Sequence, residues 1–187
     1  RTAYRGLMAT GMCDVMEACQ RGVVDYAFLG GGQIDAYGNL NSTVIGAYDQ
    51  PKVRFPGSGG ANDFASFCWH TLVMTQHDAR RFVEQVDFLT SPGYLTGPGA
   101  REEAGLPKGT GPYRVITDLA VMGFDEETKR MQVEYLHPGV SFEQVQKNTG
   151  FEILQVNDVR ETEPPRQNEL RVLREEVDPH HYLIGRG

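Results

Sequence analysis

The residues with most chemical potential in this chain are glycines. Gly30-Gly31-Gly32 follows an apolar run, and Gly57-Ser58-Gly59-Gly60-Ala61 leads into a helix-like segment at Asn62–Trp69. A strand running into glycine brings backbone close to a ligand, and unhindered N–H groups gathered there bind oxyanions and phosphates. Neither cluster completes a nucleotide signature. The first lacks both the dinucleotide fingerprint and the Lys-Ser/Thr ending of a phosphate loop, and the second lacks the third glycine of the dinucleotide pattern. On spacing alone, two tight turns that let backbones pack explain the glycines equally well.

The polar residues nearby sharpen the choice. Gln33 and Asn41 carry amides suited to orienting a substrate carboxylate or, equally, to bracing the turn between the clusters. Asp35 fits capping of that turn better than base chemistry. Arg54 stands beside the second cluster, either to neutralise a carboxylate or phosphate or to form an ion pair at a strand end. Ser58 has no base beside it in sequence, which argues against a serine hydrolase. His70, His77 and His137 are isolated and His180-His181 lies near the C-terminus, so no metal-ligand spacing emerges. Cys13, Cys19 and Cys68 fit neither a zinc site nor a disulfide framework and read as buried thiols of a reducing cytoplasm.

These groups need elements to hold them. Cys13–Gln20 reads as a short helix, Val23–Leu29 as a buried strand, and Gly38-Asn39 as a turn. Pro51 and Pro56 bracket an extended piece, Asn62–Trp69 begins a helix, and Thr71–Thr75 and Phe82–Leu89 read as strands. Ser91–Pro112, rich in Gly and Pro, reads as a long loop. Val115–Phe124 and Met131–Leu136 suggest a hairpin. Ser141 with Gln144 forms a capping box for a helix to Lys147, and a strand at Phe151–Val156 follows. The last helix, Gln167–Val177, stops before Pro179. Interleaved helices and strands indicate an α/β fold.

The 187 residues suit a single domain with a hydrophobic core. A formal net charge of -7 disfavours a nucleic-acid surface, and no apolar run reaches the ~20 residues of a membrane span.

In order along the chain, Phe28–Asp35, Tyr37–Thr43 and Arg54–Asp63 closely resemble the beta subunits of family I coenzyme A transferases, the glutaconate branch most of all. The resemblance continues at Arg81-Phe82, Thr90–Gly93, Gly97–Gly99, Gly105–Pro107, His137–Val140, Asn148–Phe151 and Arg174–Pro179. It implies an open, mostly parallel or mixed sheet flanked by helices. It also implies an alpha-type partner subunit in a hetero-oligomer and a site between the two subunits. No cofactor is implied, because the coenzyme A thioester is itself substrate. Gly57, Ser58, Gly59, Gly60 and Ala61 are the expected acyl-CoA and oxyanion loop, with Gln33, Asn41 and Arg54 orienting the substrate.

The resemblance also implies a glutamate nucleophile, in a Glu-Ser-Gly or Glu-Asn-Gly motif ahead of the Phe28-Leu29-Gly30-Gly31 strand. This sequence carries no such motif. Glu17 is the only glutamate upstream of that strand and reads as a solvated helix face. The catalytic glutamate is therefore expected before Arg1, with the domain spanning 1–187 and lacking its N-terminal segment. The alternative is a branch without the glutamate, acting as a CoA-ester hydrolase or decarboxylase, or a catalytically silent partner subunit.

Overall fold

The computed structural model describes residues 6 and 8–182. Helix α1 (Met12–Gln20) leads into strand β1 (Tyr26–Leu29). Two antiparallel pairs follow, β2 (Gln33–Ile34) with β3 (Leu40–Asn41) and β4 (Val44–Gly46) with β5 (Pro51–Arg54). Helix α2 (Ala61–Phe67), strand β6 (His70–Met74) and the short helix α3 (Ala100–Glu103) come next. Strands β7 (Pro112–Ile116), β8 (Ala120–Phe124) and β9 (Met131–Leu136) precede helix α4 (Phe142–Lys147) and strand β10 (Leu154–Glu161). Helix α5 (Gln167–Arg171) continues as a π-helical turn, Val172–Val177.

The main sheet has the order β1-β6-β7-β8-β9-β10. It is parallel at β1/β6, β6/β7 and β9/β10, and antiparallel at β7/β8 and β8/β9. Register explains its cohesion. Leu29, Val73, Val115, Met122 and Val133 are successive cross-strand partners, and all but Leu29 are buried. This ladder packs against Ile34, Leu40, Phe82, Val145 and Phe151 in one hydrophobic core. Period-2 alternation sends Tyr26, Phe28 and Met74 to the other face, where each is more than half exposed.

Several expectations hold: α1, α2, β6, the β8–β9 hairpin and α4 fall where pattern and caps put them. Ser141 caps α4 by accepting from the Gln144 N–H at 3.2 Å. Cys19 and Cys68 are buried free thiols as expected, whereas Cys13 is exposed because it lies on the solvent side of α1. The expected strand over Phe82–Leu89 does not form. Phe82 makes a single bridge to Ile34, after which the Asp87 N–H turns to Gln33 Oε1 and the Thr90 hydroxyl accepts from the Ser42 N–H. Val115–Phe124 is not one strand either, since Thr117 accepts from the N–H groups of Leu119 and Ala120 and folds the chain into β7 and β8. The strand expected at Phe151–Val156 starts later, at Leu154, because Gln146 takes up the Phe151 carbonyl and the Ile153 N–H.

Candidate active site: an open glycine loop on a buried polar brace

The second glycine cluster links β5 to α2. Gly57 has φ 97° and Gly59 φ 52°, and a Cβ at either would meet nothing within 4 Å. Gly60, at φ -95°, follows Gly59 with opposite handedness, an alternation that turns successive N–H groups to one side. The loop is tied at its edges. Gly57 N–H donates to the Ser42 carbonyl at 3.0 Å, and Ser42 Oγ donates to the Gly57 carbonyl at 3.1 Å. Ala61 N–H donates to the Ser58 carbonyl and Asn62 N–H to Ser58 Oγ. The N–H groups of Ser58, Gly59 and Gly60 have no protein acceptor among the described residues. Ser58 Oγ thus caps α2, and the loop presents open donors. Beneath it, the end of the Met16 side chain from α1 packs on Gly60, so a side chain there would have to displace it.

The first cluster is built differently. Gly32 N–H donates to the Asn41 carbonyl at 2.8 Å, and the Gly31 carbonyl accepts from Arg81 Nη1 at 3.2 Å. A Cβ on Gly32 would lie 2.4 Å from the Phe55 ring. These glycines are packing positions. Behind them, Asn41 is fully buried and Gln33 is 5% exposed. Asn41 Nδ2 donates to Gln33 Oε1 at 2.7 Å and to the Val44 carbonyl at 2.6 Å, while its Oδ1 accepts from the N–H groups of Thr43 and Val44. Gln33 Nε2 donates to Asp87, and Gln33 Oε1 accepts the Asp87 N–H.

Asp35 caps the adjoining turn, accepting from the N–H groups of Tyr37 and Asn39 and from Asn39 Nδ2. Burial raises its pKa, and the three hydrogen bonds oppose that shift. Thr90 joins the brace to the loop: its hydroxyl accepts from Ser42 N–H and meets Thr43 Oγ1, and its carbonyl accepts from Asn62 Nδ2 at 3.0 Å.

The coenzyme A transferase family model matches residues 2–148, most of the chain. The chain belongs to this family. It is 50% identical over 158 residues to the B-type subunit of glutaconate CoA-transferase from Acidaminococcus fermentans, covering 84% of this chain and 59% of that relative. It is 31% identical to the cholesterol ring-cleaving hydrolase IpdB subunit of Rhodococcus jostii, covering 89% and 63% of the two. The crystal structure of the Acidaminococcus fermentans glutaconate coenzyme A-transferase superposes with a TM-score of 0.82 at 48% identity, over 87% of this chain and 62% of that one. This chain thus spans about three-fifths of the length of the curated relatives it matches.

In this member of the coenzyme A transferase family, the residues picked from sequence fall into three settings. Gly57, Ser58, Gly59 and Gly60 form the open loop, whereas Ala61 begins α2 with its N–H paired to the Ser58 carbonyl. Gln33 and Asn41 come together, with their amides engaged by protein groups. Arg54 is exposed on β5, donating to the Tyr48 carbonyl at 2.8 Å with its guanidinium 4.8 Å from the Tyr48 ring centre. Glu17 is exposed on α1 and paired with Arg21 one turn on. The expected glutamate ahead of Arg1 lies outside the described residues. No metal-binding group of three or more His, Cys, Asp or Glu occurs among the described residues, and none of their helices is long and apolar enough to cross a membrane.

Sequence reasoning missed Asn62, Thr90 and Arg101. Asn62 and Thr90 lie within the resembling stretches Arg54–Asp63 and Thr90–Gly93, a signal that was available. Arg101 gave none, because Gly99-Ala100-Arg101-Glu102-Glu103 looks like a solvated charged loop, yet Arg101 is 3% exposed.

Proposed function

We propose that this chain is the beta-type part of a cytoplasmic, heteromeric coenzyme A transferase that moves CoA between an acyl-CoA and a carboxylic acid. The observation that carries this reading is the trio of unpaired N–H groups at Ser58, Gly59 and Gly60, in a family member half identical to a glutaconate CoA-transferase polypeptide. In such chemistry a glutamate carboxylate of the complete beta-type chain attacks the thioester carbonyl. The C–S bond breaks, CoA departs as thiolate, and an acyl-glutamyl anhydride remains. The thiolate then adds to the glutamyl carbonyl, the donor acid leaves as carboxylate, and a glutamyl-CoA thioester results. An acceptor carboxylate runs both steps in reverse.

Each addition places negative charge on a carbonyl oxygen. A positioned backbone donor stabilises that charge by about 3 kcal/mol. The loop supplies such donors without side-chain bulk, and an alpha-type subunit closes its open side. The glutaconate named for the 50% relative makes a dicarboxylic acid the favoured acceptor class here, with Arg54 the nearby cation for its second carboxylate. The hydrolase name of the 31% relative supports a second outcome, transfer to water.

The deciding experiment uses the full-length chain co-purified with its alpha-type partner. With acyl-CoA present, borohydride should inactivate the complex by reducing the glutamyl-CoA thioester, and a dicarboxylic acid should acquire CoA. Release of free CoA without acceptor, and no borohydride inactivation, would replace transfer by hydrolysis.

A further inference from the structure

Helix α2 follows directly from the open glycine loop, so whatever fixes α2 fixes the loop. Two side chains do so, and both reach the segment Thr90–Gly93. At the start of the helix Asn62 Nδ2 donates to the Thr90 carbonyl. At the far end Arg101 donates from Nη2 to the Ala65 and Ser66 carbonyls at 3.0 and 3.3 Å, and to Thr110 Oγ1 at 2.8 Å. From Nη1 it donates to the Pro92 and Gly93 carbonyls at 3.1 and 2.8 Å.

This is an unusual use of a cation. Arg101 is buried, and no carboxylate forms an ion pair with it among the described residues. Burying a charge without an ion pair is costly and lowers the Arg101 pKa; the carbonyl and hydroxyl acceptors, with the nearby charges of Tyr94 and Glu102, offset part of that cost. The Ala65 and Ser66 carbonyls belong to the last turn of α2, where carbonyls lack helical partners and a cation is favoured. Gly93 itself is locked, since a Cβ there would lie 2.3 Å from the Tyr37 carbonyl and the Gly38 backbone. The guanidinium therefore anchors α2 to a closely packed piece of backbone.

We propose that Arg101, with Asn62 as a second tie, is a positioning residue that holds the N–H groups of Ser58, Gly59 and Gly60 in the register needed to meet a developing oxyanion. Arg101 touches no part of the loop and acts through α2. The planar fork reaches two segments at once, which the single ammonium of lysine does not. The proposal rests on the transferase reading for its catalytic consequence, but its structural half is measurable without any activity.

The test compares wild type, Arg101→Lys and Asn62→Ala, each in the full-length complex. Hydrogen exchange is followed at the Gly57, Ala61 and Asn62 amides, which are protected by Ser42 and Ser58, with β9 as internal control. Exchange at these amides should rise at least tenfold in both variants while β9 is unchanged. The kcat for acyl-CoA turnover should fall tenfold or more, with KM within twofold. A merely structural arginine would lower thermal stability and slow neither turnover per folded molecule nor loop protection, and that result overturns the proposal. If Arg101→Lys does not fold, Asn62→Ala decides, because Asn62 is exposed and its loss buries no charge. A wild-type complex without transfer overturns the functional reading, while the exchange data still judge the tie.

Discussion

The two glycine clusters look alike in sequence and do opposite work in the fold. At Gly31 and Gly32 the missing side chains let backbone and the Phe55 ring close in, and the Gly32 N–H and Gly31 carbonyl are paired. At Gly57 and Gly59 the missing side chains face open space, both φ values are positive, and the N–H groups of Ser58 to Gly60 stay unpaired. One cluster contributes density to a rigid base and the other leaves polar groups exposed on top of it. A glycine-rich loop is thus a site only where its donors are left over after folding.

The sharpest way to break this contrast is to empty the base. Asn41→Ala removes a buried amide whose four hydrogen bonds serve Gln33, Thr43 and Val44. Unpaired buried partners and the void together should cost about 3 kcal/mol. Chemical denaturation would measure it, and a loss near zero would mean that the brace does not support the loop.

Next comes a matched pair of substitutions. Gly32→Ala pushes a methyl into the Phe55 ring and should destabilise by about 2 kcal/mol, through overpacking. Turnover per folded molecule should survive. Gly59→Ala has room for its methyl but must hold φ 52°, a strain of about 1 kcal/mol. Its effect should fall on turnover, at least tenfold, because the loop relaxes by turning its N–H groups. Denaturation midpoints and steady-state rates on the same preparations would check both, and a reversed pattern would interchange the roles of the clusters.

How much of this was legible beforehand depends on the range of the interactions. The α/β class, the α1 and α2 helices, the β8–β9 hairpin and the Asp35 turn are local, and period, caps and turn residues reveal them. The strand expected at Phe82–Leu89 failed because only its first residues pair, Phe82 bridging to Ile34 of β2 and the Val83 N–H reaching the Ile34 carbonyl. Beyond them the Asp87 N–H is taken by Gln33 Oε1, far away in sequence. Asn41 was visible as a candidate, but sequence left its choice between substrate and brace open. Only the positions of Gln33 and Val44 reveal where its amide is engaged. Arg101 was illegible for the same reason in stronger form, since its acceptors come from three separate segments.

The smallest effect is absent at neutral pH and appears in acid, under the first cluster. Strand β2 after that cluster bridges to Arg81–Val83, and Phe82 there stacks on His77 with ring centres 4.0 Å apart. His77 is buried, and its ring nitrogens meet Thr117 Oγ1 at 3.1 Å and Thr149 Oγ1 at 3.0 Å. Thr117 Oγ1 also lies 3.1 Å from the Ala120 carbonyl and Thr149 Oγ1 2.8 Å from the Val145 carbonyl, and a neutral ring needs only one of the two hydroxyls to turn its proton from carbonyl to ring nitrogen. Burial lowers the His77 pKa to about 4, against the opposing pull of Asp118 and Asp78. The unfolded chain, with a pKa near 6.5, therefore binds the proton first as pH falls. Stability is complete above about pH 6.5 and declines from there towards pH 4, by roughly 1 kcal/mol at pH 5.5. His77→Gln should lose some stability at neutral pH but flatten this acid limb when unfolding is followed from pH 7.5 to 4.5. If β2 leans on His77 through Phe82, hydrogen exchange at the Ile34 and Val83 amides should quicken along the same limb in the wild type. The glycine loop, held from the other side by α2 and Thr90, should keep its protection until lower pH. Simultaneous loss at both places would show that the two clusters open as one unit.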